Sequence, residues 1–341
     1  MNRELVNLCI DTVKGVQTNF SKHEASEIIR KEFVSIFGTD KPNFKDFRHA
    51  EKVATAFEII EEVVDISITE GFANNPFFQQ FVEFRDLALG DRNEFYVEDR
   101  SVLAISETAG SHWNLRRQKL DIGQSFSIPT KFYGAKVYTD FLRMVAGRID
   151  FPALVQKIQD SVAEKMAQDI YTQFAGTLDT LPSEFTHTGA FAIDEALKIA
   201  DHVQASNNGS EVIIAGTKQA LRKITGSYTQ ANSFLVSMNM KDAINKTGIL
   251  GEWNGYKLLE IPQIHKVGTF DFALDTVGDS RLFFLPANCK PIKVVREGTS
   301  MINQTSNGTE NMDMSIEYTF LTNYGIATIF NRYYGMYKIN A

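Results

Sequence analysis

Apolar positions along the start of the chain recur at helical spacing. Leu5, Leu8, Cys9, Val13 and Val16 form one stripe, and Ile28, Ile29, Phe33 and Ile36 a second. The two stripes predict one or two amphipathic helices over residues 1–37. Gly38-Thr39-Asp40-Lys41-Pro42 breaks the pattern, and a further helix is predicted from about Phe47 to Val64 through Val53, Phe57 and Ile60. From about Phe77 to Val137 the period shortens. Apolar and polar residues alternate at Val82 and Phe84 and again at Phe95 and Val97, then at Ile122, Phe126 and Ile128, and at Phe132 and Val137. Between these strand signals lies a polar stretch with Glu107-Thr108-Ala109-Gly110-Ser111-His112 as its turn-like tip. The segment reads as a long two-stranded excursion with little apolar content of its own. A hairpin of that kind is marginal alone in water and needs a surface to lie on.

Residues 150–176 carry the clearest helix. Asp150 suits the N-cap, Pro152 the first turn and Gly176 the stop, while Leu154, Val155, Ile158, Val162, Met166, Ile170 and Phe174 make one apolar stripe. A helix of this length spans about 40 Å, enough to organise a whole subunit. Ile158 and Val162, in mid-stripe, are expected to face the subunit core. Residues 190–290 alternate between helix and strand: a helix from Ile193 to Val203, a turn at Asn207-Asn208-Gly209, and a short buried strand at Glu211–Ala215. A helix then opens at Gly216-Thr217, and strands follow at Tyr256–Ile261 and Arg281–Leu285. The remainder reads as β, at Ile292–Arg296, Met314–Leu321 and Ile326–Phe330, then Tyr333-Tyr334-Gly335-Met336-Tyr337.

Composition narrows the function classes. No run approaches the roughly 18 apolar residues of a membrane span. The polar Met1-Asn2-Arg3-Glu4 start lacks the apolar core of a signal peptide, so a cytoplasmic, membrane-free protein is expected. Two cysteines, Cys9 and Cys289, exclude a disulfide framework and a four-cysteine zinc site, and both are expected as buried thiols. The net charge of −7 gives no basic face for tight duplex binding, so contact with nucleic acid is expected to be weak and non-specific.

Catalytic chemistry finds little support. None of the six histidines (His23, His49, His112, His187, His202, His265) pairs with another at i, i+4, no serine sits in a nucleophile elbow, and neither cysteine has a catalytic context. Ala215-Gly216-Thr217-Lys218 lies between a strand and a helix but lacks the spacer and second glycine of a phosphate loop. A plain turn with Thr217 as N-cap is the simpler reading. Glu61-Glu62 and Asp275/Asp279 read as solvated faces, and the sequons at Asn303 and Asn307 as chance matches. No cofactor, metal or catalytic residue is expected.

The order of elements is the informative feature: helical arm, extended hairpin, rod helix, α/β region, return to β. Gly255-Tyr256-Lys257-Leu258-Leu259-Glu260-Ile261-Pro262-Gln263 is one local match. Gly278-Asp279-Ser280-Arg281-Leu282-Phe283-Phe284-Leu285, running on to Val294-Val295-Arg296-Glu297-Gly298, is a second. Tyr318-Thr319-Phe320 with Tyr324-Gly325-Ile326 and Phe330-Asn331-Arg332 is a third. In that order, over about residues 75–341, they resemble the major capsid proteins of tailed bacteriophages, whose Hong Kong 97-type fold encapsulins share. Two features depart from the family: no long cleavable scaffolding domain is evident before the hairpin, and the helical start is more regular than many family arms.

The resemblance implies an α+β subunit with an N-terminal helical arm (1–75), E-loop and flanking P-domain strands (76–137) and a P-domain spine helix (138–184). An A domain (185–288) and a return to the P-domain β-sheet (289–341) complete it. Residues 92–130 would be the E-loop, lying across a neighbouring subunit, with Arg100, Glu107, Trp113, Leu115, Arg116, Arg117 and Lys119 as its contact residues. An aromatic beside arginines has the composition of an interface anchor. The implied partners are further copies in hexamers and pentamers, scaffolding, portal and decoration proteins, and packaged DNA. The implied setting is a virion assembled in the host cytoplasm. Some relatives crosslink Lys to Asn; Lys119 and Asn303 lie in suitable regions without matching a motif. Two other readings compete: an encapsulin-like nanocompartment, and an α/β enzyme holding a nucleotide at Gly216-Thr217.

Overall fold

A computed structural model describes residues 3–14, 22–38, 76–97, 124–139, 151–178, 181–231, 238–266, 268–275, 279–287, 289–306, 316–330 and 332–340. It also describes scattered positions of 55–66 and of 103–123. Two sheets, one long helix between them, shorter helices packed around these and a small hairpin make up the described architecture.

The long helix comes from the strongest periodic pattern in the sequence. It runs Phe151–Leu178 (α4, after α1 at Arg3–Lys14, α2 at Lys22–Phe37 and α3 at Pro76–Phe81). Its 28 residues span about 42 Å. It passes Gly176, the expected stop, by two residues; a single glycine in a helix costs only about 1 kcal/mol. Met166, Ala167, Ile170, Tyr171 and Phe174 are fully buried on one stripe.

One side of that stripe meets a five-stranded sheet of β1 (Val82–Leu87), β4 (Lys131–Thr139), β10 (Ile292–Glu297), β11 (Met301–Ser306) and β12 (Ile316–Thr328). The long β12 is its centre: β4 pairs along one edge, and β10 and β11 follow each other along the other. β1 closes that edge, parallel to β10. The Tyr324 hydroxyl donates to Asp169 Oδ2 of α4 at 2.9 Å while its ring stacks on Tyr133 at 4.0 Å.

The other side meets a six-stranded sheet of β5 (Thr186–Gly189), β6 (Val212–Thr217), β7 (Glu252–Trp253), β8 (Tyr256–Ile261), β9 (Asp279–Pro286) and β13 (Gly335–Asn340), in the order β5-β13-β9-β6-β8-β7. β6 is buried along its whole length because both its faces are covered. Val212 and Ile214 point to one core, shared with Ala196, Ile199 and Val203 of α5 (Ile193–Ser206) and Leu221 and Ile224 of α6 (Lys218–Ala231). Ile213 and Ala215 point to the other core, on the α4 side, where Phe174 lies 4.9 Å from Phe283. A further helix, α7, spans Met238–Thr247. The Tyr171 hydroxyl, donating to Pro262 O at 2.8 Å, fastens α4 to the end of β8.

Several expectations change. Residues 76–81 are helical: Phe77 and Phe78 pack on Tyr171 and Phe174, and Phe81 packs on Phe77, before the chain turns extended at Val82. The reading of 289–341 as one return to a single sheet divides, because β10, β11 and β12 join the five-stranded sheet whereas β13 inserts between β5 and β9 of the six-stranded one. Asp275 is buried rather than solvated: it accepts hydrogen bonds from Thr217 Oγ1 and from the Arg281 amide, which compensate its lost hydration. Cys9 is buried as expected, which pushes its thiol up to about 12, but Cys289 is only half-buried and accepts from the Tyr334 hydroxyl.

Candidate assembly surface

The hairpin is built by β2 (Glu94–Val97) and β3 (Gln124–Ser127), paired Phe95 to Phe126. Pairing fixes the two strands to each other; separate contacts fix them to the rest of the subunit. Phe95 and Ile128 bury against Val295 on the face of the five-stranded sheet away from α4, with Leu87, Ala327 and Ile329 around them. The Arg85 guanidinium sits 4.0 Å over the Phe95 ring and its Nη1 donates to Glu94 O at 3.2 Å. Glu83 pairs with Arg85 and Lys293 beneath. Burial pushes the Glu83 carboxyl up, but the two cations outweigh it and hold it below the usual range.

At the other edge of the root, Asn93 Nδ2 donates to Ile128 O at 2.6 Å. Glu297, at the end of β10, accepts from Thr130 Oγ1 at 2.8 Å, from the Gly90 amide at 3.2 Å and from Asn323 Nδ2 at 3.5 Å. These donors, Thr130 foremost, hold its carboxyl below its ordinary pKa. Gly325 of β12 has no room for a side chain, since a Cβ there would lie 2.6 Å from Pro129 O.

Beyond this root the hairpin shows apolar surface. Tyr96 and Phe126 are exposed, Leu103 is exposed and Ile105 is 97% exposed; near the root Leu89 and Phe132 are also open, the latter at 75%. Of the expected contact residues, Glu107, Arg117 and Lys119 are exposed on this segment, whereas Arg100, Trp113, Leu115 and Arg116 lie outside the described residues. Of the expected spine-core residues, Met166 and Ile170 are fully buried. Ile158 and Val162 are half-buried and pack against the core, the side they are expected to face. Leu154 and Val155 lie on described helical backbone with side chains outside the described residues.

The root residues Arg85, Gly90, Asn93, Thr130 and Asn323 were not singled out in the sequence, and Glu297 appeared only inside a family-like segment. Their bonds join positions as far as 207 residues apart, and no local pattern encodes such pairs.

The nucleotide reading loses its geometry. Thr217 is buried, its hydroxyl donates to Asp275 and accepts from the Ala220 amide at 3.4 Å, and Leu282 lies against Gly216. The helix start is thus capped by its own side chain. Among the described residues no group of three or more His, Cys, Asp or Glu is placed to hold a metal, and no helix is long and apolar enough to cross a membrane.

A spine helix between two sheets, with a hairpin rooted on one of them, defines a Hong Kong 97-type shell subunit. The mature capsid protein of bacteriophage PhiM1 has the same fold: TM-score 0.50 at 13% identity over 78% of this chain and 87% of that one. The capsid protein of Helicobacter pylori bacteriophage KHP30 aligns at TM-score 0.49 and 10% identity over 78% and 91%. The SrpI encapsulin of Synechococcus elongatus PCC 7942 aligns at 0.43 and 9% over 77% and 87%. Among curated proteins none matches this sequence. The family model described as "SPbeta prophage-derived putative capsid protein YonB" matches residues 4–338, and the chain belongs to that family. It is a phage-type capsid protein, a structural component of virions.

Proposed function

We propose that this chain is the major capsid protein of a tailed bacteriophage, closing as hexamers and pentamers into an icosahedral shell around packaged double-stranded DNA. The observation that carries the reading is the hairpin. Its root is fastened to the subunit by a small core and a carboxylate, while its outer residues, Ile105 and Leu103 among them, are left in water. Apolar residues on a projecting two-stranded segment have a physical purpose when a neighbour covers them. In this reading residues 92–130 are the E-loop and Arg100, Glu107, Trp113, Leu115, Arg116, Arg117 and Lys119 supply the clamp. The five-stranded sheet with α4 is the P domain, and the six-stranded sheet with α5 and α6 the A domain near the symmetry axes. Heterologous contacts of this kind close into rings.

The function is association, not turnover. Assembly takes place in the host cytoplasm with scaffolding and portal proteins, and decoration proteins add to the finished shell. A net charge of −7 suits a wall that holds DNA without gripping it. Co-expression with the neighbouring head genes, followed by negative-stain microscopy, is expected to give closed particles of hundreds of copies. Protein that stays monomeric or dimeric under those conditions sinks the reading. Particles filled with a protein cargo instead of DNA identify a nanocompartment shell.

A further inference from the structure

An apolar cluster, the Arg85–Glu94 and Asn93–Ile128 hydrogen bonds and one carboxylate hold the hairpin root, and of these the carboxylate bonds to both ends of the hairpin from the sheet. The Phe95–Ile128–Val295 cluster is apolar, and apolar burial constrains separation far more than angle. Glu297 is different. Its Oε1 receives the amide of Gly90, in the turn that enters the hairpin, and its Oε2 receives the hydroxyl of Thr130, just after the strand that leaves it. The same Oε2 receives the side-chain amide of Asn323 on the central strand β12. One carboxylate therefore ties both ends of the hairpin to the sheet. An ordinary carboxylate at a strand end is solvated and contributes little. This one is met by three donors from three separate segments, and hydrogen bonds to a charged acceptor are the strong and directional class.

We propose that Glu297 is the positioning residue of the hairpin: it fixes the direction in which residues 94–127 leave the five-stranded sheet, and so whether their exposed apolar residues reach a second copy. The second half of the statement rests on the shell reading; the first half does not. Loss of the carboxylate leaves the apolar cluster and both sheets in place, so the subunit stays folded while the hairpin swings.

Three variants test it. In the unassembled subunit, Glu297→Ala is expected to speed hydrogen exchange at the Gly90 amide about tenfold or more, with the rest of the chain unchanged. In co-expression it is expected to abolish closed particles. Glu297→Gln keeps the Oε1 acceptor for Gly90 but loses the charge and the Oε2 acceptor that takes Thr130 and Asn323, so it is expected to fall between wild type and Glu297→Ala in both measurements. Thr130→Val removes one of the three donors and is expected to fall between wild type and Glu297→Ala in both measurements. Wild-type exchange at Gly90 in Glu297→Ala overturns the proposal, as do normal particles from it. So does faster exchange spread evenly over both sheets, which marks a general loss of stability. If the wild type itself forms no particles the shell reading falls, while the exchange comparison still decides the role of Glu297.

Discussion

Ile158 and Ile170 lie on one stripe of α4, twelve positions apart, yet the subunit uses them differently. Ile170 is fully buried between the sheets, while Ile158 packs half-exposed at the rim. Removing buried methylenes costs their transfer free energy plus the cavity left behind, so Ile170→Ala is expected to destabilise by about 2–5 kcal/mol. Ile158→Ala, at a site that water already reaches, is expected to cost about 1 kcal/mol. Urea titrations of both variants check the difference, and equal midpoints would refute it. The stripe itself was legible from spacing alone; depth along it was not, because depth depends on what lies across from each residue. Met166, Ile170 and Phe174 belong to a core drawn from both sheets, and nothing in a 3.6-residue period records where those sheets end. Asp275 is the same lesson in polar form. Read alone it is a solvated acid, and only the Thr217 hydroxyl and the Arg281 amide, brought to it by the fold, make its burial tolerable.

At the scale of elements, the sequence was clearest where one element meets one environment. From Val212 to Ala215 β6 is one apolar run because helices cover both its faces, and α4 has a stripe because two sheets flank it. It was least clear where a segment changes character within a few residues. The alternation at Val82 and Phe84 lets the segment from Phe77 pass for a strand, but the ring cluster of Phe77, Phe78 and Phe81 beside Tyr171 and Phe174 favours a helical turn first. β13 pairs parallel with β5 and antiparallel with β9, segments about 150 and 55 positions away, a long-range choice that no local pattern encodes. The hairpin root is likewise a meeting of elements, and Gly325 shows how closely they meet. A methyl group at that position must push Pro129 away from β12. Gly325→Ala is therefore expected to cost about 1–3 kcal/mol and to unseat β3. Limited proteolysis should then cut the variant near residues 128–130 sooner than the wild type, and an unchanged cleavage pattern would show that the root tolerates the shift.

For the whole molecule, the decisive question is what the hairpin does beyond its own subunit. Its two described strands contribute Phe95 to a small core at the root, and little else among the described residues of the hairpin is buried. The core of the subunit lies elsewhere, in the two clusters on either side of the six-stranded sheet. Removing the outer part of the hairpin should thus leave folding intact, since shortening a surface loop changes closure entropy by less than about 1 kcal/mol. Assembly should respond in the opposite way. The segment 105–118 carries Ile105, exposed at 97%, together with the expected anchors Trp113, Leu115, Arg116 and Arg117. A ring of identical subunits repeats any defect at every contact, so a weakened clamp is multiplied around each capsomer and across the shell. Deleting residues 105–118 is expected to leave circular dichroism and the thermal midpoint close to wild type while sedimentation shows free subunits or open capsomers in place of closed particles. Particles of normal size from the deletion would remove the hairpin from assembly. A subunit that no longer folds would instead place the segment in the core, against the exposure of every described residue along it.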